Sequence, residues 1–235
     1  MKKYLIITTL VALCISSFSQ TGTQRRAERR EQNKTFTEHG VDDPAAHAIL
    51  NDVRRNLKSF RSLKIDFTLL TDNRNDRAAS SIEKGTILIR GDRYNLSFMD
   101  LNMISDGKSV WSFNKETNEV HISTANPKDM EMLNPLAMIE NYDKNFRAKL
   151  IREEVENSAP VAIIDLQPFE NRSFHKVRII TNKAKKTIVR SEVHEKSGIT
   201  MTFRIDQMQT NVSAPDSEFR FDASKHPGIE IVDMR

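Results

Sequence analysis

Residues 104–120 read ISDGKSVWSFNKETNEV, and this stretch decides the fold. Asp106-Gly107 is a dipeptide that tight hairpins prefer, because glycine reaches the positive φ those turns need. Val110, Trp111, Ser112 and Phe113 follow, and a second polar run, 114–118, closes the segment. A short run of β-favouring residues between two turn signals predicts an antiparallel strand with two distinct faces. Alternation puts Trp111, the chain's single tryptophan, on one face with Phe113, and Val110 with Ser112 on the other. The expectation is that Trp111 and Phe113 face a greasy interior.

The same period of two extends outward from this hairpin. Leu63, Ile65, Phe67 and Leu69 alternate with polar residues, as do Tyr94, Leu96 and Phe98, and again Ile199, Met201, Phe203 and Ile205. Shorter alternating runs cover 161–166, 174–180 and 187–193, and turn signals at Gly91-Asp92 and Lys196-Ser197-Gly198 separate strands. Strands with one wet face belong to antiparallel sheets. So many in one chain predict a mainly β fold, a large curved sheet or incomplete barrel. No internal repeat is visible.

Two segments break the period. In VDDPAAHAILNDVRRNLKSF, Asp43 suits a helix cap and Pro44 the first helical position. Ala46, Ile49, Leu50, Val53, Leu57 and Phe60 recur at helical spacing, while Arg54, Arg55 and Lys58 crowd the C-terminal end, where they suit the dipole. In the second segment, Asn134-Pro135 opens a run with Leu136, Ile139 and Tyr142 at spacing three and Met138 beside them. This predicts one or two short helices inserted between strands, with Met130, Met132 and Met138 as adaptable surface.

The chain has 235 residues. Its first 20, MKKYLIITTLVALCISSFSQ, combine a basic start, a short apolar run and small residues at Ser17 and Ser19. That predicts a cleaved signal peptide over 1–19, too short for a comfortable membrane span. Cys14 follows Leu13 rather than a small residue, which favours plain cleavage over lipidation. The mature chain then has no cysteine, so a hydrophobic core must hold it in an oxidising compartment. Residues 20–41 carry five basic and three acidic side chains in a polar, weakly apolar context, which predicts a disordered arm. Setting aside Lys2, Lys3 and the charges of that arm leaves 29 basic and 29 acidic residues. The high pI, near 9.1, therefore belongs to the N-terminal region and not to the folded part, residues 42–235, and no nucleic-acid partner is expected.

Catalytic patterns are absent. There is no G-x-S-x-G and no H-E-x-x-H; His194-Glu195 is followed by Lys196-Ser197-Gly198. Ser105-Asp106-Gly107-Lys108 lacks the glycine-rich lead of a phosphate loop. His175 and His194 could be neighbours on adjacent strands, but a metal site there lacks two clear ligands. Arg90-Gly91-Asp92 reads as a turn. No enzyme activity, cofactor or metal is expected.

Taken in order, these pieces resemble the periplasmic outer-membrane lipoprotein carrier family, LolA. The hairpin SDGKSVWSFN carries the likeness, together with the first helix, the strand over 62–70 and the glycine-led strand pair GTILIRGDRYNLSF. NPLAMIENY, Leu166-Gln167-Pro168 and the terminal HPGIEIVDMR extend it, so that it spans residues 43–235. The resemblance implies an unclosed antiparallel β-barrel covered by an N-terminal amphipathic helix and short lid helices. It implies a monomeric periplasmic carrier of a Gram-negative cell, whose cavity shields lipoprotein acyl chains between inner and outer membrane. By the same likeness its partners are an inner-membrane lipoprotein-releasing ABC transporter and an outer-membrane acceptor. The alternative is a periplasmic lipid-sensing or protein-interaction module on the same half-barrel.

The candidate cavity wall is Phe67, Leu69, Ile87, Ile89, Leu96, Phe98, Trp111 and Phe113, and the candidate lid is Leu136, Met138 and Ile139. Singly, each is more readily a plain core residue than a wall; the set makes the wall. One position departs from the family. Gly91 stands where members place an arginine thought to hydrogen-bond the lid, leaving Arg90 and Arg93 as candidates for that contact.

Overall fold

Asp43 starts the fold. Its carboxylate accepts the Ala45 N–H at 2.9 Å and caps α1 (Pro44–Lys58), with Pro44 at the first position. The same side chain accepts the Leu150 N–H at 3.1 Å, and the Asp43 N–H donates to the Ala148 carbonyl at 2.9 Å. One residue thus caps the helix and ties it to the strand beneath. Ala46, Leu50, Val53 and Leu57 are buried along one face, as their spacing predicts.

The computed structural model describes residues 42–126 and 135–235. The segments expected to be a signal peptide and an arm, Asn134, Met130, Met132 and the Leu136 side chain lie outside the described residues. Along the rest, twelve strands run in one sheet: β1 (Leu63–Asn73), β2 (Ser81–Arg90), β3 (Arg93–Phe98), β4 (Leu101–Ser105), β5 (Ser109–Asn114), β6 (Glu119–Thr124), β7 (Phe146–Glu156), β8 (Ala159–Pro168), β9 (Phe174–Asn182), β10 (Thr187–Glu195), β11 (Ile199–Thr210) and β12 (Glu230–Asp233). Two short helices, α2 (Pro135–Glu140) and α3 (Tyr142–Asn145), stand between β6 and β7. The strand order is β12-β6-β5-β4-β3-β2-β1-β11-β10-β9-β8-β7, antiparallel except where β12 joins β6 in parallel. The two ends of that order do not meet, so the barrel is unclosed.

The inner face is packed in two parts. Beneath α1, the β7–β10 half contributes Phe146, Ala148, Ile164, Leu166, Val177, Ile179 and Val193, joined by Met138, Ile139 and Tyr142 of the short helices. In the other half, Ile65, Phe67, Ile87, Leu96 and Phe203 are buried, with Leu69, Ile89 and Phe98 packed against them. Phe67 stacks on Phe203 at 4.4 Å and on Phe98 at 5.8 Å between ring centroids. Offset aromatic pairs at such distances add to the gain from burial alone.

The outer face is mixed: Val161, Ile163 and Ile180 form a small apolar cluster on it, with Ile151 and Val189 packed against them. Asp165, buried, takes a two-pronged bond from Arg178 at 2.7 and 2.9 Å. Over β2–β6 the C-terminal segment lies against this face. Asn95 Nδ2 donates to the Glu218 carbonyl at 2.8 Å, Phe219 is fully buried, and the Arg90 guanidinium sits 5.0 Å from its ring. Beyond it, Phe221 and His226 pack on Phe113, with centroids at 5.4 and 4.3 Å, before β12 adds itself to the sheet edge.

Candidate functional site

Strand register decides which residues share a face. Leu63 pairs with Ile89, Ile89 with Tyr94, Tyr94 with Ser105 and Ser105 with Val110. Directly opposed residues point the same way, so these five form one rung across the inner face near one end of the sheet. The next rung inward is Ile65, Ile87, Leu96, Met103 and Ser112.

A cavity of about 770 Å³ lies over the outermost rung. Leu63, Ile89, Tyr94 and Val110 form its floor. Leu57 at the end of α1, Phe60 just after it, Ala125 and Ile139 of α2 complete the apolar lining. Arg54, Lys58, Arg61, Asp92, Arg93 and Glu140 supply its charged residues. A pocket of this size, with an apolar floor and many charged and polar groups around it, is large enough for a small amphiphilic ligand.

The turns at the pocket are built for it. Gly107 sits at φ +89°, backbone that residues with a side chain rarely adopt, and a β-carbon there would also meet the Asp92 carboxylate at 2.6 Å, so a larger residue strains the turn and displaces Asp92. The Asp106 carboxylate accepts the N–H groups of Lys108 and Ser109, both at 2.9 Å. Burial raises the Asp106 pKa, but these backbone donors outweigh it and hold the carboxyl below its usual range.

The structure redistributes the expected wall. Phe67, Leu69, Ile87, Leu96 and Phe98 are on the inner face as expected, but they pack on one another deeper in the sheet; Ile89 alone of the eight lines the pocket. Trp111 and Phe113 are corrected outright. Val110 belongs to the inner face, and Trp111 and Phe113 point to the outer one. There Trp111 is half-buried between its cross-strand partners Ile104 and Ile122, and Phe113 is buried under Phe221 and His226. The physical reason is that the C-terminal segment makes the outer face apolar too, so both faces of this strand want large residues.

The expected arginine contact is also different. Arg90 donates to the Ala214 carbonyl at 2.6 Å and pairs with the Asp216 carboxylate, which also receives Arg93 at 3.0 Å. Both arginines thus hold the C-terminal segment, and among the described residues neither bonds α2. The hydrogen bond from Arg90 keeps the Asp216 carboxyl below its ordinary range. The cations seen to touch α2 and α3 come from α1: Lys58 pairs with Glu140 at 2.9 Å, and Arg54 donates to the Glu140 carbonyl at 3.3 Å and to Asp143 of α3 at 3.1 Å. Met138 and Ile139 are buried against α1 and its neighbours. Sequence patterning missed Arg54 and Lys58 as α2 contacts because they read as an ordinary wet helix face.

Comparisons with known proteins agree with this architecture. No curated protein matches the sequence. Among solved structures, an uncharacterised conserved protein from Thermus thermophilus is similar at a TM-score of 0.56 and 12% identity, over 80% of this chain and 99% of that one. A LolA superfamily protein from Nitrosomonas europaea is similar at 0.42 and 14%, over 75% and 98%. The lipoprotein LppX of Mycobacterium tuberculosis is similar at 0.44 and 10%, over 74% and 98%. The family model described as outer membrane lipoprotein carrier protein LolA matches residues 58–222, from the last residue of α1 to just short of β12. The chain belongs to the outer membrane lipoprotein carrier protein LolA family.

Proposed function

We propose that this protein is a periplasmic carrier that shields lipoprotein acyl chains in transit from the inner to the outer membrane. The observation that carries the reading is the cavity of about 770 Å³ between the Leu63–Ile89–Tyr94–Val110 floor and the ends of α1 and α2. Each methylene removed from water is worth about 0.8 kcal/mol, so a long acyl chain has on the order of 10 kcal/mol at stake. Such a chain crosses an aqueous compartment only inside an apolar enclosure.

α2 acts as the lid. Its C-terminal end and the following α3 are held to α1 by partly exposed ion pairs, Lys58–Glu140 and Arg54–Asp143 respectively. Exposed pairs of this kind contribute little, about 0–1 kcal/mol each. Opening also exposes Met138 and Ile139, which are buried against α1 and its neighbours, at about 1.5–3 kcal/mol each, and an acyl chain that takes their place in the pocket offsets that cost. Cargo is received from a lipoprotein-releasing ABC transporter in the inner membrane and passed to an outer-membrane acceptor, and the carrier works as a monomer without catalysis.

A transfer assay tests the reading. Donor vesicles carrying a labelled triacylated lipopeptide are mixed with the protein, and the soluble fraction is assayed before acceptor vesicles are added. The protein is expected to draw the lipopeptide into solution and then deliver it to the acceptor. Lipopeptide that stays in the donor vesicles at saturating protein contradicts the proposal.

A further inference from the structure

Arg90 and Arg93 stand directly opposite each other where β2 meets β3, with only Gly91 and Asp92 between them. Like charges that face each other across a strand pair oppose the pairing. One carboxylate offsets the repulsion here: Asp216 Oδ1 accepts from both guanidiniums, Arg93 at 3.0 Å. Arg90 also donates to the Ala214 carbonyl at 2.6 Å and lies 5.0 Å from the ring of buried Phe219. Asn95 of β3 donates to the Glu218 carbonyl at 2.8 Å. Residues 214–219 therefore grip this hairpin from the outer face.

The same hairpin builds the pocket on its inner side. Ile89 and Tyr94 belong to the floor, Gly91 and Asp92 line the rim, and the Asp92 carboxylate lies against the Gly107 turn, which lines the pocket too. We propose that Asp216 is a positioning residue for the pocket: by offsetting the Arg90–Arg93 repulsion it keeps the tip of the β2–β3 hairpin closed, and with it the rim at Gly91 and Asp92. This rests on the acyl-chain reading of the pocket and adds a residue that holds it in shape from the opposite face of the sheet. A site whose rim is closed only part of the time binds more weakly by that fraction.

Calorimetric titration of the full chain with dodecyl maltoside, below its micelle concentration, tests this. Asp216→Asn keeps the size of the side chain and removes its charge, and affinity should fall about threefold. Adding Arg90→Gln to that variant removes the repulsion and should restore the parent affinity. A merely structural role for Asp216 predicts the opposite, since the double variant then lacks two contacts instead of one. Asp222→Asn is the control: Asp222 lies in the same C-terminal segment but pairs with Lys225, and its loss should leave affinity unchanged. Unchanged affinity in Asp216→Asn, or a loss that Arg90→Gln does not reverse, overturns the positioning inference and leaves the acyl pocket standing. An equal loss in Asp222→Asn overturns it too, since the segment as a whole is then the cause. Failure of the parent protein to bind the maltoside overturns both the inference and the acyl pocket on which it rests.

Discussion

Phe67 lies directly over Gly85: a β-carbon at position 85 would come within 2.4 Å of the Phe67 ring and 2.9 Å of the Ser97 carbonyl oxygen. The glycine leaves a gap in β2 that the ring fills, and Phe203 and Phe98 close around it. This aromatic block packs the middle of the sheet and confines open space to the end. Gly85→Ala is expected to lower stability by about 1–3 kcal/mol, because the clash involves backbone as well as ring. Urea unfolding measures it; an unchanged midpoint would mean that Phe67 does not rest there.

The two faces of β5 make opposite predictions. Val110→Phe pushes a ring into the pocket and takes the room of about two methylenes, so acyl-ligand affinity should fall roughly tenfold. Trp111→Ala acts on the outer face and should leave affinity unchanged, while costing about 2 kcal/mol of stability as a half-buried tryptophan. Titration and denaturation of both variants check the assignment. The reverse pattern would return Trp111 to the inner face.

The attachment of the C-terminal segment depends on acid pH with a definite sign. Asp216 has a carboxyl pKa lowered in the fold by the Arg90 hydrogen bond. Its contribution is therefore present above the unfolded carboxylate value, about 3.9, and is lost as pH falls through the lower folded value. Asp216→Asn should be less stable than the parent at neutral pH, and the two thermal midpoints should converge below about pH 4. Midpoints that stay a constant distance apart down to the acid limit would exclude the pairing.

The α1–α2 contact gives a dynamic prediction. Arg54→Ala removes both the Glu140 carbonyl bond and the Asp143 pair. Amide exchange at 138–140 is expected to speed up by about fivefold, with β7–β10 amides unaffected. Equal acceleration throughout would show a core defect rather than a released lid.

Much of this fold was written in local pattern. The α1 face of Ala46, Leu50, Val53 and Leu57, and the alternation in β1, β3 and β11, are visible residue by residue, because burial imposes periods of 3.6 and 2. The pocket was not legible in the same way. It depends on Leu63, Ile89, Tyr94, Ser105 and Val110 falling on one rung, and alternation specifies a face without specifying the register between strands. The Val-Trp-Ser-Phe run of β5 misled because its apolar residues occupy both faces. What decides between them is Phe221 and His226, more than a hundred residues away, pressing on Phe113. Sequence likeness offers Arg90 and Arg93 only as candidates for the lid contact, and Asp216 of the same distant segment holds them.

The central claim is that one acyl cargo occupies the pocket over Val110. Native mass spectrometry of the protein incubated with a triacylated lipopeptide measures this most directly. One lipopeptide per chain is predicted at saturation, retained in Trp111→Ala and suppressed in Val110→Phe. No complex with the parent protein, or a complex equally populated in Val110→Phe, would contradict it.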